Sequence, residues 1–171
     1  MSYETRLREM GYVIEAVQLD TGRILQATRV GNLVFTSGQV PSWEGKSIKG
    51  KIGTDLTVEQ GYEAAKLCGL NNLRAIKAVI GSLDNLVRFV KVFGMVNVAP
   101  GFDDTPAVVN GCSEFIREVF GEAGYHASRT FPIRGRKSRK CRRIPGFFQK
   151  VCTIGFDLTT CDFRWGLSWE L

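Results

Sequence analysis

Val30-Gly31-Asn32-Leu33-Val34-Phe35-Thr36-Ser37-Gly38-Gln39-Val40-Pro41 is the stretch on which the fold turns. Two strand-like runs, Ile24 to Val30 and Leu33 to Ser37, flank Gly31-Asn32. That pair fits a two-residue hairpin turn. Upstream, residues 3–12 read as a short helix stopped by Gly11. Downstream, Trp43 to Gly53 is a loop rich in Gly, Lys and Ser.

Thr57-Val58-Glu59-Gln60 has the capping-box pattern, in which the Thr57 hydroxyl and the Gln60 amide satisfy free backbone N–H groups. The helix it opens is expected to run to about Ile80. Tyr62, Ala65, Gly69, Leu73, Ile76 and Ile80 fall at steps of three or four and form one face. Small Ala65 and Gly69 let that face lie close to a sheet. Gly81 to Asn85 ends the helix, and Val87 to Val98 follows as a long strand rich in β-branched and aromatic residues. Strict alternation sends Val90, Val92, Val96 and Val98 one way and Phe89, Phe93 and Met95 the other. A strand apolar on both faces is covered on both. One helix layer covers one face, so the second cover is expected to be another copy of the chain. Thr105-Pro106 then starts a helix, with Thr105 as N-cap and Pro106 at the first helical position. Its buried stripe is Val109, Cys112, Ile116 and Val119, and Gly121 and Gly124 end it. Hairpin, helix, strand, helix, with one more strand owed, describes an α+β sandwich: one sheet with helices on one face.

Composition agrees with a packed domain. The 171 residues are 44% hydrophobic and 23% charged, which is neither disordered nor fibrous. The sequence has no run of 18 apolar residues to span a membrane. The polar start, Met1 to Arg6, lacks an apolar signal core, so the expected location is cytoplasmic. The net charge of +6 is unevenly placed. Residues 1–126 hold 13 basic and 14 acidic residues, a net of −1; residues 127–171 hold 10 and 3, a net of +7. Seven of the ten residues from Arg134 to Arg143 are Arg or Lys. Cys68, Cys112, Cys141, Cys152 and Cys161 include no C-x-x-C pair, and His126 is the only histidine. Reduced thiols are expected, with no metal and no cofactor.

The Val30 to Pro41 run resembles the RidA/YjgF family, also called the L-PSP endoribonuclease family. The resemblance continues in the long helix, in Leu83-Asp84-Asn85-Leu86-Val87, and in Val109-Asn110-Gly111-Cys112-Ser113-Glu114-Phe115. It covers about residues 1–126, and the N-terminal helix points to a RidA-like subfamily. It implies a chorismate-mutase-like sandwich of the bacillus type, with a mixed β-sheet and two long helices on one face. It also implies a homotrimer with sites at subunit interfaces. The activity it implies is hydrolysis of 2-aminoacrylate-type imines to 2-keto acids and ammonia, with RNA cleavage reported for some members. A small carboxylate or imine is the implied ligand. The alternative is a small-molecule- or RNA-binding homotrimer without catalysis.

Residue by residue, the resemblance places Ser37 and Gly38 on the pocket floor, where backbone N–H groups hold an anion or polarise a water. Asn110 matches a pocket-side Asn. The family's key Arg grips the substrate carboxylate, which a planar guanidinium does well. It lies in a His-Ala-Arg-Ser-like stretch; here the text is His126-Ala127-Ser128-Arg129-Thr130, so Arg129 comes one place late. In a strand, one place changes the face. The imine deaminases also use a Tyr where Ile24 stands, and a last-strand Glu in a Val-Glu-Val-Glu-like run that this chain lacks; Glu170 sits in no comparable context. Weak or absent 2-aminoacrylate deaminase activity follows. Each residue has a plainer reading as well. Ser37-Gly38 also fits a bulged strand end, Asn110 a surface helix position, Arg129 the first of the tail's basic residues, and His126 a structural or solvated side chain.

On this reading the domain spans residues 1–129, and residues 130–171 are a separate basic segment containing Cys and Trp. Arg134 to Arg143 reads as a nucleic-acid arm acting by counterion release. Alternating Cys152 to Thr159 and Phe163 to Leu171 read instead as a β-hairpin replacing the owed strand. The abrupt change of composition inside one family motif reads, third, as a shift of reading frame near residue 127.

Overall fold

The computed structural model describes residues 1–133 and the backbone of residues 148–156. Arg134 to Arg143, the second half of the tail hairpin (Phe163 to Leu171), Glu170, Cys141 and Cys161 lie outside the described residues.

The first helix, α1 (Tyr3–Glu9), is capped by Ser2, whose hydroxyl accepts from the Thr5 N–H at 3.1 Å. It ends earlier than residues 3–12 suggested, because Met10 already leaves helical geometry. Glu4 ties the helix to the body. Its carboxylate accepts from Lys77 Nζ at 2.8 Å, and from Ser82 Oγ and the Leu83 N–H at 3.1 Å each.

The hairpin forms at Gly31-Asn32, although of the two only Gly31 takes a positive φ. β1 (Ala27–Val30) and β2 (Leu33–Thr36) pair antiparallel, with Val30 opposite Leu33 and Gly31 at a φ of 57° between them. Ile24 and Leu25 stay outside β1, in a turn where the Thr21 hydroxyl donates to the Ile24 carbonyl at 2.8 Å. The loop that follows contains a small hairpin of its own, β3 (Ser42–Trp43) with β4 (Lys46–Ser47).

Helix α2 (Val58–Ile80) starts on the capping box read from the sequence, with both reciprocal bonds present. Its buried set is wider than one stripe, adding Cys68, Leu70, Asn72 and Ala75, because the helix touches both the sheet and its neighbour α3 (Thr105–Phe120). Tyr62 and Ile80, expected on the buried face, are half-buried. The N-cap of α3 is Asp104 rather than Thr105; its carboxylate accepts from the Ala107 N–H at 3.2 Å. Thr105 is buried instead, one residue inside the helix. The stripe Val109, Cys112, Ile116 and Val119 is buried as expected. The two helices meet where side chains are absent. A Cβ on Gly111 would stand 2.0 Å from the Tyr62 carbonyl oxygen, and one on Gly69 3.0 Å from Cys112 Sγ.

One five-stranded sheet lies under these helices. It contains β1, β2, β5 (Leu86–Asn97), β6 (Ala127–Ile133) and β7 (Phe148–Phe156), in the spatial order β1-β2-β7-β5-β6. β5 and β6 are parallel and every other pair is antiparallel. β6 crosses from residue 129 to residue 130 without a break, and residues 148–156 form the central strand. Val34, Val92 and Val96 face the helices and join Leu70, Leu73, Ile76, Val109 and Ile116 in the core. The expected faces of β5 need one correction. Phe89 is buried and Val90 exposed: burial steps by three from Leu86 to Phe89 to Val92, and alternation resumes from Val92. The step serves packing: the Phe89 ring meets Phe120 of α3 edge-on, at 5.0 Å and 71°.

Among the described residues, no helix lies on the other face of the sheet. Val30, Leu33, Phe35 and Phe131 are exposed there, and Phe93 and Met95 are half-buried. No helix among the described residues is long and apolar enough to cross a membrane.

Candidate functional site

The end of β2 is held by a short polar network. The Ser37 N–H donates to the Gln26 carbonyl at 2.8 Å, and its hydroxyl donates to the Leu25 carbonyl at 2.5 Å. Gln39 Nε2 donates to Gln26 Oε1 at 3.0 Å. From above, α2 fixes the next residues: Asn71 Nδ2 donates to the carbonyls of Val40 and Ser42, at 3.1 and 2.6 Å. Ser37 and Gly38 are therefore half-buried and firmly placed. The Ser37 proton is committed to Leu25, so the hydroxyl oxygen is left as an acceptor for a bound water or ligand.

Arg129 sits on β6 opposite Phe93 of β5. Its neighbour Thr130 bonds Thr105 of α3, Oγ1 to Oγ1, at 2.8 Å, so Thr130 faces the helices. Successive side chains alternate, so Arg129 faces the uncovered side. Ser128, at the place of the family's Arg, shares the helix side with Thr130. The Arg129 guanidinium lies 4.9 Å over the Phe131 ring, which is 5.5 Å from Phe93. It makes no ion pair among the described residues.

Asn110 is exposed on α3, over the half of the sheet formed by β5 and β6. β7 and β5 separate β2 from β6, which sets Ser37 and Arg129 about 14 Å apart across the strands. One chain thus does not bring Ser37, Gly38, Asn110 and Arg129 together. Ile24 is 59% exposed, with nothing in its side chain to donate or accept.

A second group of residues was missed by sequence reasoning. Glu114, Arg117, Glu118, Gly121, Glu122 and Tyr125 line an open cleft of about 500 Å³ where α3 ends. Arg117 stacks on the Tyr125 ring at 4.7 Å and donates to its hydroxyl at 3.2 Å. Tyr62 of α2 donates to Glu114 at 2.6 Å. That bond, with partial burial and the nearby carboxylates, pushes the Tyr62 hydroxyl up to about 12. Beside the cleft, Ser113 and His126 are in hydrogen-bond contact at 3.0 Å. The available signal was the glycine-bounded turn after α3, which folds Tyr125 and His126 back over its last turns.

Comparisons with known proteins agree with this architecture. The YjgF endoribonuclease family model, described as YjgF/chorismate mutase-like, matches residues 4–137. Protein TCP17 of Trypanosoma cruzi is 34% identical over 123 residues, covering 71% of this chain and 77% of that protein. Among solved structures, protein Atu1372 of Agrobacterium tumefaciens superposes with a TM-score of 0.77 at 30% identity, over 91% of this chain and 94% of its own. An endoribonuclease candidate from Shewanella oneidensis superposes with a TM-score of 0.79 at 27% identity, over 91% and 100%.

Proposed function

The chain belongs to the YjgF/chorismate mutase-like family, and from that premise we propose that it is a homotrimeric imine-handling protein with low 2-aminoacrylate deaminase activity. The observation that carries the reading is the fixed exit of β2. There the Ser37 oxygen is turned into an acceptor by its bond to Leu25. A water held between that oxygen and the Gly38 backbone adds to the imine carbon; the resulting carbinolamine releases ammonia and leaves a 2-keto acid. Arg129, stacked on Phe131 and without an acidic partner among the described residues, is the proposed grip for the substrate carboxylate. Asn110 is the proposed polar wall.

Two observations support a low rate. Ile24 brings no hydroxyl to the β1 side, and Arg129 stands on the opposite face of β6 from Ser128, where the family has its Arg. The strand separation of Ser37 and Arg129 supports a pocket shared between copies. The uncovered apolar face supports an assembly that covers it. The test is trapping of freshly generated 2-aminoacrylate with semicarbazide, with and without protein. A slight acceleration that Arg129→Ala removes is expected. Robust acceleration, or a slight one that Arg129→Ala leaves unchanged, contradicts the reading.

A further inference from the structure

Ser113 lies on α3 one turn before Arg117, and His126 stands across from it at the entry to β6. His126 Nδ1 is 2.7 Å from the Gly124 carbonyl oxygen. A carbonyl only accepts, so Nδ1 carries the ring proton. In the neutral ring Nε2 is then the acceptor, and Ser113 Oγ, 3.0 Å away, donates to it. A serine hydroxyl bonded to an imidazole whose other nitrogen is held by a third group is the arrangement that activates a serine nucleophile. Here the third group is a backbone carbonyl. It is rigidly placed: Gly124 is buried, and a Cβ on it would stand 2.7 Å from the Ile116 carbonyl oxygen. Burial, together with the Arg117 charge, pulls the His126 pKa down against the bond to Gly124, which keeps the ring neutral near pH 7.

We propose that Ser113, His126 and the Gly124 carbonyl form an acyl-transfer site that takes small esters carrying a positive charge. The cleft beside them supplies the selectivity. Its lining has three carboxylates, Glu114, Glu118 and Glu122, against one guanidinium. Arg117, whose charge acts on His126, spends one of its five N–H donors on Tyr125 and is the group proposed to meet the oxyanion. In the reaction Ser113 Oγ attacks the ester carbonyl carbon and its proton passes to His126 Nε2. The bond to the alcohol oxygen breaks, and the alcohol leaves with that proton. Water then attacks the acyl-serine and gives its proton to Nε2; the acid departs and Ser113 is re-protonated. This site is separate from the one at Ser37 and does not depend on imine chemistry.

The experiment treats the full chain with a fluorophosphonate bearing a trimethylammonium group. Its phosphorus bonds the nucleophilic oxygen, fluoride leaves, and the displaced proton goes to the base. Peptide mass mapping of the wild-type protein is expected to show one adduct, on Ser113. His126→Gln should slow its formation by about a hundredfold, and a neutral fluorophosphonate should react about tenfold more slowly. No adduct, an adduct spread over several serines, or a Ser113 adduct indifferent to His126→Gln overturns the nucleophile. Equal rates for the charged and neutral reagents overturn the proposed substrate charge. The wild-type mapping decides the first point even if a variant fails to fold.

Discussion

Glu4 shows how one side chain helps anchor the N-terminal helix, beside the buried Leu7 and the bond from Arg6 to the Val119 carbonyl. Burial pushes its carboxyl up, but the bonds from Lys77, the Leu83 N–H and Ser82, with the Lys77 charge, hold it below the ordinary 4.5. A carboxylate whose pKa is lowered by folding stabilises the protein above its unfolded value, and that contribution is lost as pH falls through the lowered one. Glu4→Gln is therefore expected to reduce stability by about 1–3 kcal/mol at neutral pH, with the difference shrinking below pH 4.5. Denaturant titration of both proteins across that range checks it; a gap independent of pH contradicts it. At this scale the sequence was readable where a bond is local. Thr57 and Gln60 lie three residues apart and cap as their spacing says. Glu4 with Lys77 spans a separation of 73 residues, and no local pattern marks it. Thr105 fits an N-cap by pattern, yet its partner Thr130 becomes visible only once β6 is in place.

The elements depend on glycines that no neighbour in sequence explains. Gly111 lets α3 lie against the Tyr62 carbonyl of α2, and Gly94 leaves room for Val109 under the same helix, where a Cβ would stand 2.4 Å from Val109 Cγ2. In Gly111→Ala the obstacle is backbone, which cannot swing aside as a side chain tip does. A loss of about 3 kcal/mol is expected, at the upper end for overpacking, read as a lower thermal midpoint. An unchanged midpoint contradicts the contact. Turn chemistry and helical period made the hairpin, α2 and α3 legible. The step of three in β5 was not legible, since Phe89 and Val90 suit either face and only Phe120 decides between them. Cys152 to Phe156 alternate as a strand, and β7 contains them, although it begins at Phe148. Its central place between β2 and β5 is a long-range fact that alternation does not carry.

On the scale of the molecule, the sheet is apolar on both faces and, among the described residues, the helices cover one. That much was legible in β5, whose residues are hydrophobic on each side. The candidate pocket was legible as residue types and not as a place: Ser37 and Arg129 match a pattern, while the strand order keeps them apart within a chain. Both facts lead to the same claim, that copies of the chain meet on the uncovered face and share the site. Phe35 and Phe131, 37% and 41% exposed, are the large side chains available to that contact. A charge placed on this face meets a desolvation cost in the assembly and almost none in a free chain. Native mass spectrometry of the full-length protein tests the claim directly. A species of three 19.0 kDa chains that falls to single chains in Phe35→Glu is expected. A wild-type protein that is monomeric at micromolar concentration, or a trimer indifferent to Phe35→Glu, would contradict it.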